Sequence, residues 1–139
     1  MATILLVEDD DDLRESLRAQ LEADRHRVVE AANGAEAIRC WRSFTFDLII
    51  TDFSMPGMNG QEVIQMVLAQ QPTLPIILMS GGIEEQVLLC IRHRFPSVRY
   101  LPKQIISTHL SGYVRDALRM RHAMSDRRSG LQRSLTKAG

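Results

Sequence analysis

The chain has 139 residues, with 17 Lys and Arg, 17 Asp and Glu, and 45% hydrophobic residues, which suits one ordinary globular domain. No apolar run approaches the ~20 residues that a membrane span needs, and the N-terminus turns acidic too early for a secretory leader, so we expect a cytoplasmic protein without membrane contact. Cys40 and Cys90 lack disulfide or metal-ligand spacing and are predicted to be free thiols.

The predicted strands, in chain order, are short apolar segments separated by segments of helical periodicity. They cover residues 3–7, 27–30, 47–51, 74–79 and 98–101. The first, third and fourth are nearly continuous in Ile, Leu and Val. This composition is typical of strands that are buried on both faces of a parallel sheet.

The predicted helices follow the strands one by one. The first carries Leu13, Leu17 and Leu21 on one face, and the acidic run from Asp10 to Asp12 is suited to cap it. The later helices are predicted over residues 35–43, 61–71, 84–94 and 107–120. Strict alternation with right-handed crossovers predicts an α/β fold, a (βα)₅ three-layer sandwich around a parallel five-stranded sheet.

Charge is distributed unevenly along the chain. Residues 119–139 contain six basic residues and one acidic residue, whereas residues 1–118 contain 11 basic and 16 acidic residues. Because the apolar period fades near the end, we predict a folded domain over residues 1–121 and a flexible basic extension over residues 122–139. The extension has no interleaved aromatic residues and no room for a helix-turn-helix, so we predict no direct nucleic-acid binding.

Polar residues with complementary chemistry follow the predicted strands. They are Glu8 and Asp9 after the first strand, Asp52 after the third, Ser80 after the fourth and Lys103 after the fifth. The carboxyl ends of parallel strands share one edge, so these side chains should converge. Clustered carboxylates repel unless a cation compensates, and Mg²⁺ prefers such oxygen ligands. A carboxylate beside Mg²⁺ can accept a phosphoryl group, with Lys103 stabilising the transferring oxygens.

Four segments at these strand ends resemble one known family. Residues 4–10 (ILLVEDD), 47–60 (DLIITDFSMPGMNG), 76–81 (IILMSG) and 100–103 (YLPK) together resemble the receiver domain of two-component response regulators. The motifs occur in the family's order, and the resemblance extends from about residue 2 to residue 120. It implies a flavodoxin-like fold with strand order 2-1-3-4-5, the order of the chemotaxis receiver that serves as a general example of this fold.

The resemblance implies a role for each polar residue at the strand ends. Asp52 would be the phosphoacceptor, and Lys103 the lysine that pairs first with it and then with its phosphate. Ser80 and Tyr100 match the hydroxyl and aromatic residues that change position on phosphorylation.

The same resemblance implies a metal site. Asp9, Asp52 and the backbone carbonyl of Ser54 would bind Mg²⁺, or Mn²⁺ in its place, directly, and Glu8 would act mainly through a metal-bound water.

The implied partners are proteins. The phosphoryl donor would be a phosphohistidine on a sensor histidine kinase or a histidine phosphotransfer protein, and the chain would not otherwise be an enzyme. Phosphorylation would change its affinity for a downstream protein target. The face formed by the fourth helix, fifth strand and fifth helix would also be a possible homodimer interface.

Two features depart from the receiver pattern. Gln104 stands where receivers usually have a proline in a cis peptide bond after the lysine. A non-proline cis bond costs about 3 kcal/mol, so we predict a trans Lys103–Gln104 bond. The sequence then does not determine whether the Lys103 side chain reaches Asp52. Residues 92–97 also lack the small Gly-Ala turn that is common before the fifth strand.

Two alternative functions follow from these features. A degenerate receiver would bind partners without being phosphorylated, as the missing proline suggests. An aspartate-nucleophile phosphohydrolase is less favoured, because it would want an acid two residues after Asp52, where the chain has Ser54.

Overall fold

The structure, a computed structural model, describes residues 1–121. The strands are β1 (Thr3–Val7), β2 (Arg27–Ala31), β3 (Leu48–Asp52), β4 (Ile76–Ser80) and β5 (Val98–Pro102). The helices are α1 (Asp11–Ala23), α2 (Gly34–Ser43), α3 (Gly60–Gln70), α4 (Glu85–Arg94) and α5 (106–121), and a 3₁₀ turn, Lys103–Ile105, leads into α5. The predicted extension, residues 122–139, lies outside the described residues. Within the described part, no helix combines the length and apolar character needed to cross a bilayer.

The five strands form one parallel sheet in the order β2-β1-β3-β4-β5. This order confirms the predicted flavodoxin-like α/β fold. The register brings the strand ends level, since Val7 pairs with both Ala31 and Thr51, and Ser80 pairs with Pro102. The last residues of the five strands therefore share one edge of the sheet, called the carboxyl edge below.

Both faces of the sheet are covered by helices. Leu5 and Ile49 pack on one face in a core layer that includes Trp41 of α2 and side chains of α3 and α4. Ile4 and Ile50 pack on the other face with side chains of α1 and α5. Burial on both faces explains the nearly continuous Ile, Leu and Val runs of the strands, and each such side chain contributes about 1.5–3 kcal/mol when fully buried.

Side-chain caps fix the starts of the first three helices. Asp10 accepts hydrogen bonds from the amides of Asp12 and Leu13 at 3.0 and 3.2 Å, which confirms the predicted cap. Asn33 caps α2 and Asn59 caps α3 in the same way, at 2.8 and 3.0 Å. Such caps contribute about 1 kcal/mol each. They keep the loops between the carboxyl edge and the helices short and defined.

The strand boundaries differ slightly from the predicted ones. β4 begins at Ile76 instead of residue 74, because the Leu74 amide donates within the turn after α3 and Pro75 has no amide hydrogen. β3 extends one residue further than predicted and includes Asp52. The sheet therefore fixes the backbone of Asp52 directly.

Among α1 to α4, α4 has the smallest buried face. Ile91 is its only buried residue, and its first turn has no side-chain cap. Leu89 leaves 55% of its surface exposed. Because few apolar contacts hold this helix, we expect it to be the most easily displaced of the four by a change in the loop before it.

Candidate functional site

Three carboxylates meet at the carboxyl edge. Glu8 and Asp9 directly follow β1, and Asp52 ends β3, the neighbouring strand. One carboxylate oxygen from each residue lies within 4.8 Å of the others. The structure thus brings together the three carboxylates that were predicted to converge, at a spacing that lets them share one cation.

Two of these carboxylates are buried. Glu8 is 1% exposed and Asp52 is 3% exposed, whereas Asp9 is open to solvent. The Glu8 amide donates to the Ala31 carbonyl at 3.1 Å, and the Phe53 amide donates across to β4 at 2.8 Å, so the sheet fixes the backbone beside both acids. Because they cannot easily move apart, their charges need a compensating positive group.

Lys103 provides a positive group at this position. Its Nζ lies 3.0 Å from Asp52 Oδ2 and 3.2 Å from the Glu8 carboxylate. The described residues contain no cis peptide bond, so the predicted trans Lys103–Gln104 bond is confirmed. The 3₁₀ turn after β5 therefore allows Lys103 to reach Asp52 without a cis proline.

The pKa values of Glu8 and Lys103 reflect two opposing effects, burial and the attraction between opposite charges. Burial, together with the negative charge of Asp52, raises the pKa of the Glu8 carboxyl to about 7, and the hydrogen bond and charge of Lys103 oppose that rise. Burial lowers the pKa of Lys103, but its hydrogen bonds and attraction to Asp52 and Glu8 outweigh burial and leave it above its ordinary value. Lys103 is thus charged at neutral pH, while Glu8 titrates near it.

One buried oxygen of the cluster supports a cation site. Glu8 Oε2 has no hydrogen-bond partner among the described residues, since Lys103 donates to Oε1 and only approaches Oε2, at 3.2 Å. The charge of Lys103 offsets part of the cost of burying this oxygen, which remains without a hydrogen bond. With Asp9 open to solvent, this set of oxygens fits Mg²⁺ or Mn²⁺, which keep several water ligands.

Two glycines shape the loop between Asp52 and α3. Gly57 has a φ of 76°, in the left-handed region that favours glycine. A Cβ on Gly60 would overlap the carbonyl oxygen of Asp52, so α3 packs on the site only with glycine there. Ser54, whose carbonyl was predicted to bind metal, lies exposed in this loop.

Ser80 is buried at the end of β4, but its hydroxyl turns toward its own loop. The Oγ atom hydrogen-bonds both the amide and the carbonyl of Gly82, each at 3.0 Å. The Tyr100 hydroxyl makes a long contact of 3.5 Å to the Ser80 carbonyl. The structure thus brings the two predicted switch residues together, while Ser80 engages the loop and not Asp52.

Two further side chains at this edge were not predicted as site residues. Gln104 Nε2 donates to the Gly81 carbonyl at 2.7 Å. Arg14 Nη1 donates to the Glu8 carbonyl at 2.8 Å. The only signal for Gln104 in the sequence is its departure from the receiver pattern, and the contact of Arg14 depends on how α1 packs against β1.

Comparison with known proteins identifies a family for this chain. The response regulator receiver domain matches residues 4–115. The transcriptional regulatory protein AfsQ1 of Streptomyces coelicolor is 39% identical over 81 residues, which are 58% of this chain and 36% of that protein. The regulatory protein VanRB of Enterococcus faecalis is 42% identical over 78 residues, 56% of this chain and 35% of that protein. The matched region spans only about a third of these relatives.

A solved structure has a similar fold. The response regulator protein TrrA of Thermotoga maritima, in complex with Mg²⁺ and BeF, has a TM-score of 0.75 and 28% identity, covering 85% of this chain and 100% of that chain. The family match covers most of the chain, and the sheet order agrees with the fold that the resemblance implied. The chain therefore belongs to the response regulator receiver domain family.

Proposed function

We propose that this receiver accepts a phosphoryl group from a phosphohistidine onto Asp52. The observation that carries this proposal is the placement of the Asp52 carboxylate, buried at the end of β3, clustered with Glu8 and Asp9, and 3.0 Å from Lys103. The donor would be a sensor histidine kinase or a histidine phosphotransfer protein in the cytoplasm. The chain would catalyse only its own phosphorylation and dephosphorylation.

The proposed transfer exchanges one bond to phosphorus for another. An Asp52 oxygen bonds to phosphorus as the phosphorus–nitrogen bond of the donor breaks. The electron pair stays on the imidazole nitrogen, which takes up a proton, and Asp52 becomes an acyl phosphate. Lys103, already paired with Asp52, is positioned to donate to a phosphoryl oxygen and to stabilise its charge.

The residues proposed to hold Mg²⁺, or Mn²⁺, are Glu8, Asp9, Asp52 and the backbone carbonyl of Ser54. The bound ion would supply positive charge that offsets the repulsion between the carboxylates and the incoming phosphoryl oxygens. Two observations support this site: the buried Glu8 oxygen without a hydrogen-bond donor, and the similarity to TrrA in its complex with Mg²⁺ and BeF.

Ser80 and Tyr100 are proposed to carry the signal from Asp52 to the surface. To donate to a phosphate on Asp52, the Ser80 hydroxyl must leave Gly82, which displaces the loop between β4 and α4. Because α4 has a small buried face, this displacement would alter the surface formed by α4, β5 and α5. The outcome would be a changed affinity for a downstream protein or for a second copy of the chain.

Phosphorylation by acetyl phosphate tests the proposal. With Mg²⁺ present, we expect an adduct of about 80 Da by intact mass, the mass of one phosphoryl group. It should be absent in Asp52→Asn and without divalent cation. Asp116→Asn is the matched control, because Asp116 is an exposed aspartate of α5 outside the site, and it should be modified like the wild type.

The absence of an adduct would contradict the proposal and favour the degenerate receiver that binds partners without phosphorylation. Sustained turnover of a general phosphate ester that is lost in Asp52→Asn would instead favour the phosphohydrolase. The reach of Lys103 to Asp52 supports the phosphoacceptor over the degenerate form, because it removes the concern raised by the missing proline.

A further inference from the structure

Gln104 connects two loops at the carboxyl edge. Its Nε2 donates a hydrogen bond to the Gly81 carbonyl at 2.7 Å. A carbonyl oxygen only accepts, so the amide nitrogen must be the atom that faces it. This side chain therefore joins the turn after β5 to the loop after β4.

The bond lies between the neighbours of two proposed site residues. Gln104 follows Lys103, whose Nζ is 3.0 Å from Asp52. Gly81 follows Ser80, whose hydroxyl is hydrogen-bonded to Gly82. Any movement of the Ser80 loop relative to the Lys103 turn must therefore lengthen, break or carry along this bond.

The two glycines of the loop are lightly packed, whereas Ile83 after them packs partly against the core. Gly81 and Gly82 are both exposed, and a Cβ on either would meet no atom within 4 Å. The Tyr100 hydroxyl contributes only a contact of 3.5 Å to the Ser80 carbonyl. Because the glycines add no side-chain packing, the hydrogen bond from Gln104 is a large share of what holds Gly81 in position.

We infer, on the basis of the phosphoacceptor function proposed for Asp52, that Gln104 is a positioning residue that stabilises the unphosphorylated arrangement of the loop after β4. Its hydrogen bond to Gly81 favours the arrangement in which Ser80 engages Gly82. Without that bond, a larger fraction of molecules has the loop free to move toward a phosphate on Asp52. Gln104 thus sets how readily this receiver responds to phosphorylation.

Gln104→Met tests the inference, because methionine keeps the length of the side chain and removes the donor. Beryllofluoride, a phosphoryl mimic for carboxylates, is titrated at saturating Mg²⁺ and followed by ¹⁹F NMR. We expect it to bind roughly twofold to tenfold more tightly to the variant, the range that corresponds to loss of one net hydrogen bond. Affinity for Mg²⁺ alone should not change, because no hydrogen bond of the described residues joins the carboxylates of Glu8 and Asp9 to this loop.

Gln20→Met is the matched control. Gln20 Nε2 donates to the Ser107 carbonyl at 3.0 Å, so it makes the same kind of bond between two other elements. This variant should bind beryllofluoride like the wild type. In the metal-free protein, the Gly82 amide should exchange with solvent faster in Gln104→Met than in the wild type or in Gln20→Met.

The outcomes separate the two proposals. If the wild type and Gln104→Met bind beryllofluoride equally, or if Gly82 exchange is unchanged, the positioning role of Gln104 is overturned while the phosphoacceptor function stands. An equal gain in Gln20→Met would also overturn it, because the effect would then reflect general loosening. If the wild type binds no beryllofluoride, the function proposed for Asp52 fails and the role of Gln104 fails with it.

Discussion

The buried carboxylate of Glu8 makes the stability of the metal-free protein depend on pH. Its pKa is raised from 4.5 to about 7, mainly by burial. Between these values the unfolded chain ionises Glu8 while the folded chain keeps it protonated. The free energy of unfolding therefore falls as pH rises from about 4.5 to about 7, by up to about 3 kcal/mol, and levels off above that range.

Glu8→Gln should remove this dependence. The free energy of unfolding of the variant, taken relative to that of the wild type, should be higher at pH 8 than at pH 5. Glutamine has no charge to bury, so the variant avoids the loss that the wild type shows. Urea denaturation in chelator at the two pH values measures the difference, and contributions from groups distant from Glu8 cancel in the comparison. Glu15→Gln, at an exposed position of α1, is the control and should keep the wild-type profile. Identical profiles for Glu8→Gln and wild type would show that Glu8 ionises normally.

Lys103 is expected to compete with a divalent cation for the same carboxylates. Its ammonium lies 3.0 Å from Asp52 and 3.2 Å from Glu8. Lys103→Met should therefore bind Mg²⁺ roughly tenfold more tightly, as measured by calorimetry. The substitution removes the repulsion between the ammonium and the divalent cation, which would lie a few ångströms apart. The same variant should be phosphorylated more slowly, because the group that stabilises the transferring oxygens is gone.

Lys103→Arg serves as the control for charge. It keeps the positive charge and should retain Mg²⁺ affinity near that of the wild type. Unchanged affinity in Lys103→Met would show that Lys103 does not share these carboxylates in solution.

At the scale of elements, the packing of α3 against β3 depends on one glycine. A Cβ on Gly60 would overlap the Asp52 carbonyl oxygen, whereas a Cβ on Gly112 in α5 would meet no atom within 4 Å. We expect Gly60→Ala to destabilise the fold by about 2 kcal/mol, as overpacking does, and to slow phosphorylation by shifting Asp52. Gly112→Ala should instead stabilise it by about 0.5–1 kcal/mol, since alanine is the better helix former.

Urea denaturation of the two glycine variants measures these opposite effects. Equal destabilisation by both substitutions would contradict the close approach of α3 to Asp52.

The elements also show what sequence can and cannot predict. The interior of β3 was predictable because Ile49 and Ile50 are both buried and leave a continuous apolar run. Its last residue, Asp52, is not predictable as part of the strand, because a polar side chain normally signals a strand end, and only the pairing with Met79 of β4 keeps it in the ladder. The start of β4 is misjudged in the other direction. Pro75 is apolar and so looks like part of the strand, but it has no amide hydrogen for the ladder.

The candidate site was predictable to the extent that its residues lie at strand ends. Glu8, Asp52 and Lys103 follow from the topology, because parallel strands bring their carboxyl ends together. The bond from Gln104 to Gly81 was not predictable, since it depends on the side-chain direction in a turn that joins segments 23 residues apart. Contacts of this kind follow from tertiary packing and carry no periodic signal in the sequence.

At the scale of the whole molecule, one sheet separates two core layers and should make them unfold together. Ile49 packs in the layer that contains Trp41, and Ile50 packs in the opposite layer. Both side chains belong to β3, so neither layer can lose its packing while the sheet stays intact. Trp41 is the only tryptophan and reports on one layer alone, whereas circular dichroism reports on all helices.

Ile49→Val and Ile50→Val should therefore lower the free energy of unfolding by similar amounts, about 1 kcal/mol each, as expected for loss of one buried methyl group, and lower the urea midpoint accordingly. The midpoint measured by Trp41 fluorescence should move as much for Ile50→Val as for Ile49→Val, and should coincide with the midpoint from circular dichroism. If Ile50→Val moves the circular dichroism midpoint and leaves the fluorescence midpoint in place, the two layers unfold separately.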